Sequence, residues 1–493
     1  MKPKHIAIVV LWILGANAIA QNEMDAFRYA QYSPSGSARY TSLGGSMGGF
    51  GADFSVLSAN NPAGIGLYKR SEITFTPALM HNKINADYNG ESHYGTKYRF
   101  MLNNLGFVLA VPLSSKWKSF QLATGYTNLA NYNSYSYVKG PNHTSSTNAT
   151  SYFDVVAASL SGTHFANISE NSGLGYYGWL ADAYDGGYFI DTISGKPDQY
   201  FAYNDHLNQK QTRMTEGSLN EYVFSGGANY DDKLFVGVTL GIPFFRYNQK
   251  TTYTESPNYY YDSLTYIDEF EARATGINLK LGLLYQPLKF LRFGIGFHTP
   301  TLYNKVRESY TTNLYINNFY QNDTTVYNLE DKSGVTKYNY ELVTPYHVMG
   351  NVAFLIDRYG FVNIDYEYVD YSTSNLQASD YGFDNENNNI KQYYRGTHTV
   401  RIGGEVNLTP VMLRLGYSYS SNPYVKDLDK DGTIHAISAG IGFKTRYFFM
   451  DFAYRYSFYK DNDIFYDAYN INPYNINSKS QLFALTLGWK MGK

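Results

Sequence analysis

The chain has 493 residues, a net charge of −2, a mean hydropathy of −0.38, 52 Tyr, 30 Phe and no cysteine. Near-neutral charge gives no electrostatic pull toward nucleic acid. Without cysteine there are no disulfides, thiolate metal sites, cysteine nucleophile or lipoprotein anchor.

In chain order, Lys2, Lys4 and His5 precede the apolar run Ile6–Leu14, and Ala18-Ile19-Ala20 has the form of a cleavage site. Residues 1–20 are therefore expected to be a signal peptide. Residues 21–70 carry no strand alternation; they are rich in Gly, Ser and Ala and end in Asn61-Pro62-Ala63-Gly64. Small residues let backbone pack on backbone, and Asn-Pro-Ala-Gly is turn chemistry. Interior apolar residues (Leu43, Met47, Phe50, Phe54, Val56, Leu57) favour a compact plug over a loose linker.

From 71 to 493 the pattern has period two, in which successive side chains face opposite ways. Leu105, Phe107, Leu109 and Val111 share one face; Ile277, Leu279, Leu281 and Leu283 alternate with Asn278, Lys280 and Gly282. Phe483, Leu485, Leu487 and Trp489 repeat it at the end. The connections alternate too. Tight turns fall at 113–116, 230–233, 286–288, 357–359, 407–410 and 444–446. Longer links fall at about 140–210, 253–265, 317–335, 374–394, 421–432 and 460–477. This predicts an all-β fold, a transmembrane antiparallel β-barrel of about 14 strands, with the plug in its lumen. Modest hydropathy is no objection, because only alternate residues face lipid, and Tyr and Phe suit the interfacial girdles. A Tyr-rich soluble sandwich or propeller is the competing fold, but charges kept on one parity argue against it. The rhythm places short turns and both termini on the periplasmic side of a bacterial outer membrane, with long loops outside. The aromatic C-terminal stretch ending at Trp489 suits recognition by barrel assembly machinery, and the expected state is a monomer in contact with outer-membrane lipid.

Ser35-Gly36-Ser37-Ala38-Arg39-Tyr40, the Gly-rich stretch after it and Asn61-Pro62-Ala63-Gly64 resemble the FadL family of outer-membrane proteins. Members carry long-chain fatty acids or aromatic hydrocarbons, and some relatives are named haemin receptors. The layout matches over the mature chain; motif similarity is confined to about 25–76. The resemblance implies a plug that blocks the lumen, a lateral exit that its movement opens, and plug roles for Arg39, Asn61, Pro62 and Ala63.

Within the longest link, Phe165, Trp179 and Tyr184 either pack the loop onto itself or form an apolar capture site, which the resemblance favours. Inward Arg292, Arg401 and Arg414 either meet a carboxylate head group or pair with Glu405, Asp451, Asp365 or Glu367. Asp427, Asp429 and Asp431 before Gly432 form half of a calcium loop, but position twelve is Ser438, so a calcium site competes with an ordinary acidic turn. No other cofactor is expected. Gly44-x-Ser46-x-Gly48 and Gly173-x-Gly175-x-x-Gly178 lack strand–turn–helix context and are set aside.

The expected function is therefore passive uptake of a hydrophobic small molecule, long-chain fatty acids foremost, with loop capture and plug-gated release, and no enzyme activity. Competing readings are a haem or aromatic-compound channel, with His206 or His298 near iron, and an adhesin or scaffold whose loops bind partners.

Overall fold

The computed structural model describes residues 23–33, 35–142, 184–185, 188–189, 207–256, 261–322, 325–332, 334–428, 430–466 and 472–491. The first wall strands are β1 (Ser71–Tyr88), β2 (Glu91–Pro112), β3 (Trp117–Asn131) and β4 (Ser134–Pro141). A separate pair, β5 (Tyr184–Asp185) and β6 (Tyr188–Phe189), follows. The wall resumes with β7 (Asn208–Tyr230), β8 (Leu234–Ser256), β9 (Ser263–Thr275), β10 (Asn278–Leu288), β11 (Leu291–His298) and β12 (Leu302–Asn322). Next come β13 (Thr325–Lys332), β14 (Thr336–Val343), β15 (His347–Ile356), β16 (Gly360–Asp370) and β17 (Asn375–Gln377). β18 (Gly396–Leu408), β19 (Val411–Ser420), β20 (Ile434–Lys444), β21 (Phe448–Asp463) and β22 (Tyr474–Met491) complete it.

Every wall pairing is antiparallel, and β22 closes on β1 from Met491–Ser71 to Asn475–Asp87. β3–β4, β9–β10, β11–β12 and β13–β15 each form one interrupted stave, giving a closed barrel of fourteen. Closure is what lipid demands, since an open edge would leave backbone groups unpaired. The alternation sorts the faces as expected. Leu279, Leu281 and Leu283 are exposed on the outside, while Asn278 and Lys280 are buried inside.

Two links expected as loops are largely strand. β12 runs on to Asn322 and pairs with β13, and β8 runs on to Ser256. Where staves rise past the bilayer both faces meet water, so the apolar alternation ends while the hydrogen-bond ladder continues. The 374–394 link contains a helix, Asp384–Tyr393.

Inside lies the segment before β1. It comprises α1 (Glu23–Ala30), α2 (Ala38–Ser42), α3 (Val56–Ala59) and a 3-10 turn at Pro62–Leu67; the 384–393 helix is α4. α1 packs in the upper lumen against α4 and the wall, with Phe27 4.9 Å from both Tyr371 and Tyr394 and Tyr29 stacked 4.0 Å from Phe245. The rest rests on inward glycines of the wall. A Cβ on Gly237 would meet the Pro62 carbonyl at 2.2 Å, one on Gly282 the Asn61 Oδ1 at 2.1 Å, and one on Gly416 the Leu43 carbonyl carbon at 2.1 Å. Backbone thus lies on backbone, and any side chain at those floor positions would overpack it.

Gly237→Val is therefore expected to lift the Asn-Pro-Ala turn without opening the barrel. Planar-bilayer conductance should rise and protease should cut within 31–70, while the barrel keeps its heat-modifiable gel shift.

Candidate functional site

Asn61 sits at the centre of the turn. Its Nδ2 donates to the carbonyls of Leu283 and Ile295, each at 3.2 Å, and to Asn351 Oδ1 at 3.0 Å. Its Oδ1 accepts from Ala63 N at 3.0 Å, capping the 3-10 turn that begins at Pro62. One amide thereby ties plug, β10, β11 and β15 together. Arg39 on α2 makes a two-point pair with Glu405 at 2.8 Å and stands over the rings of Phe50 and Phe361. Such paired, charge-assisted bonds are strong and fix orientation.

The lumenal arginines divide. Arg292 donates to the carbonyls of Phe50 (2.7 Å) and Gly49 (3.2 Å), and Arg414 to Glu405 and Asp451, each at 2.6 Å. Arg292 thus braces plug to wall, and Arg414 braces wall strand to wall strand beside the Glu405 that Arg39 also holds. Arg401 pairs with Glu367 at 2.5 Å, but its Nη1 has no hydrogen-bond partner. Lys280 and Glu221, both buried, pair with each other and with the Ser58 hydroxyl, another plug-to-wall tie. His298 donates from Nε2 to the Asn60 carbonyl at 2.9 Å, so the plug engages that nitrogen.

The wall itself is broken at one place that the sequence pattern passed over. β1 carries Pro77, which has no N–H to give a ladder. Opposite it Thr76 pairs with Asn104 but Pro77 with Leu102, so Asn103 is bulged. From Asn104 to Pro112 β2 pairs with β3; above Asn104 that edge of β2 has no ladder partner among the described residues. β3 bulges between Asn128 and Ala130, turns at Tyr132–Asn133 and continues as β4, which pairs with β7. β4 crosses the inner face of the β1–β2 hairpin, where a Cβ on Gly95 would meet the Tyr135 carbonyl at 2.4 Å. Gly217 on β7 holds this corner through its carbonyl, which accepts from Tyr132 N at 3.1 Å and Asn133 Nδ2 at 2.9 Å. Its φ of 129° is open to glycine alone at little cost.

Where β2 and β3 part, a cavity of about 320 Å³ opens, lined by Phe100, Met101 and Leu102 on one side and Tyr126, Asn128 and Asn131 on the other. Below it the wall presents outward Phe75, Leu105 and Phe107; above it His81 stacks on Tyr98 at 4.3 Å, an interfacial aromatic pair. The break therefore opens through the apolar band on the long-loop side. The chain between α1 and α2 covers it from within. Ser33 N donates to the carbonyl of the bulged Leu129 at 2.8 Å, and the Ser35 hydroxyl sits between Asn103 Oδ1 (3.0 Å) and Asn128 Oδ1 (3.3 Å). Asn131 Nδ2 reaches Met101 Sδ across the break at 3.1 Å.

The barrel fold recurs in solved structures. A Pseudomonas aeruginosa FadL homologue aligns over 94% of this chain and 99% of its own, with a TM-score of 0.55 at 12% identity. The chain has the FadL-type fold. The CymD monoaromatic hydrocarbon channel aligns over 94% and 100% (TM-score 0.51, 12% identity), and the Ralstonia pickettii toluene transporter TbuX over 94% and 100% (0.52, 13%). No known family profile matches the sequence, and no curated protein does.

In this FadL-type barrel Phe165 and Trp179 lie outside the described residues, as do Asp429 and His206, and Tyr184 falls in β5, apart from the barrel sheet. Asp427 lies in the 3-10 turn Lys426–Leu428, and Asp431 accepts from Thr433 N at 3.0 Å as in an ordinary acidic turn. Among the described residues no three His, Asp or Glu side chains are grouped to hold a metal. The signals for the break were present as Pro77 within a strand and as Asn128, Asn131 and Asn133 close together, but neither violates the two-residue rhythm on its own.

Lys280→Met should cost about 3–5 kcal/mol, because it leaves Glu221 as a buried charge without its cation. The double variant Lys280→Met/Glu221→Gln should recover part of that loss. Urea unfolding of the refolded barrel in micelles measures both.

Proposed function

We propose that this FadL-type barrel is a passive outer-membrane channel for hydrophobic small molecules, long-chain fatty acids foremost, which leave through the break between β2 and β3. The observation that carries this is the break itself: a cavity in the lipid-facing wall, bulged on both sides and covered from within by one plug segment. A molecule released there enters the bilayer without crossing the polar periplasmic space, as suits a ligand whose favourable solvent is hydrocarbon. No energy-coupling element is needed, since partition into lipid drives the step downhill.

In this account the long loops face the exterior and capture ligand, and the upper lumen receives it among the rings around α1, including Phe27, Tyr29, Phe245, Tyr303 and Tyr371. Shifting Gln31–Ser37 then uncovers the break, while the lower plug stays on its glycine floor. A carboxylate head would find the partner-free Nη1 of Arg401 below that segment. The ring-lined lumen also favours a second ligand class, small aromatic hydrocarbons, as for the CymD monoaromatic hydrocarbon channel and the TbuX toluene transporter.

The native chain has no cysteine, so a pair introduced as Met101→Cys/Asn131→Cys reports on the break alone. Oxidised cells should take up labelled oleate no faster than a deletion strain, and reductant should restore uptake. Unchanged uptake with the bridge formed would sink the wall route. Ser35→Ala removes a hydrogen bond worth about 1 kcal/mol from the cover and should raise uptake rather than lower it.

A further inference from the structure

The short-turn end of the barrel holds a second site that the wall route does not use. Two adjoining cavities there, of about 410 and 350 Å³, share Arg39, Glu72, Glu405, Asn407, Lys444 and Lys490 in their lining. Their charges are unevenly matched. Arg39 and Arg414 are held by Glu405 and Asp451, and Lys490 lies 3.5 Å from Glu72. Lys444 and Arg446 have no carboxylate within 4.0 Å among the described residues. Lys69 and Arg358 add further cations to the same mouth, while Asp357 and Asp53 add carboxylates to its lining.

Apolar side chains lie among these cations, beside polar Asn407, Thr409 and Thr445. Met412 and Phe449 line one cavity, and Phe50, Leu67 and Phe361 the other. At the rim Arg70 and Arg446 both stand over the Tyr447 ring, at 5.2 and 5.3 Å, and Lys490 stands 5.5 Å over Phe449. Rings and long cationic stems at this level suit the boundary between acyl chains and head groups. A concave site with surplus cations draws anions, and its size suits a head group with part of a chain rather than a macromolecular face.

We propose that this vestibule binds the anionic head of an amphiphile, with Lys444 and Arg446 pairing with the head and Phe449 and Met412 receiving the start of its chain. The chemistry is shared by two sources, a fatty carboxylate and the phosphate of an inner-leaflet phospholipid. The site stands on its own geometry and does not depend on the wall route.

Photolabelling tests it on the full-length mature protein in phosphatidylcholine nanodiscs. Three probes, each with a diazirine near the head, are compared: a C16 carboxylate, the matching C16 alcohol and a phosphatidylglycerol. The carboxylate is expected to label 444–449, the alcohol far less, and Lys444→Gln/Arg446→Gln should lose most of that label while keeping its heat-modifiable gel shift. Labelling by phosphatidylglycerol as well assigns the site to a membrane lipid; labelling by the carboxylate alone assigns it to a fatty acid. Equal labelling by the alcohol, an unchanged signal in the double variant, or label at 98–103 and 126–133 only would overturn the proposal. Label at 444–449 with none at 98–103 would retain the vestibule and remove the wall exit instead.

Discussion

In hydrocarbon every backbone N–H and C=O must find a partner within the protein. That constraint shapes the whole molecule: it dictates a closed ladder from β1 round to β22, and it makes any gap in the ladder conspicuous. Side chains and the plug close in around the gap above Asn104. Asn103, Asn128 and Asn131 turn amides toward it, β4 crosses behind it, and Ser33 and Ser35 bond to its margins from within.

The plug is unevenly held. Its lower part is fixed by backbone-on-backbone contact at Gly237, Gly282 and Gly416, by the four bonds of Asn61, and by the Arg39–Glu405 and Lys280–Glu221 ties. Buried ion pairs are expensive to break one partner at a time, so that part is expected to move as a unit or not at all. The cover, by contrast, carries no charged residue and is tied to the wall by neutral contacts of about 1 kcal/mol each: the Ser33 backbone bond, the Ser35 hydroxyl, the Tyr32 hydroxyl on Thr301 and the Tyr32 ring stacked on His347. Local opening draws on the least stable segment. That difference in anchoring favours the proposed wall route, in which only the chain between α1 and α2 shifts.

Strand parity was legible because lipid and lumen impose opposite chemistries on neighbouring residues, as at Leu279–Leu283. The plug was legible because its composition breaks that parity, and Asn61-Pro62-Ala63 proved to be the turn that docks on the wall. What the inward glycines do was hidden: Gly237 and Gly282 look merely small until something is seen to lie on them. The break was hidden for a related reason. Asn103 and Leu129 are ordinary strand residues, and a bulge is a property of two strands in register rather than of either alone. Arg292 and Arg414 show the limit from the other side. An inward arginine is visible in sequence, but whether it awaits a ligand or is already held depends on contacts from other strands and from the plug, 242 residues away for Arg292 and Phe50.

The most direct measurement is a crystal structure of the protein soaked with a long-chain fatty acid brominated near its tail, read by anomalous scattering. A bromine peak between Met101 and Asn131, in the cavity where β2 and β3 separate, is the predicted result. Bromine found only along the central axis, with Ser35 still seated between Asn103 and Asn128, would contradict exit through the wall.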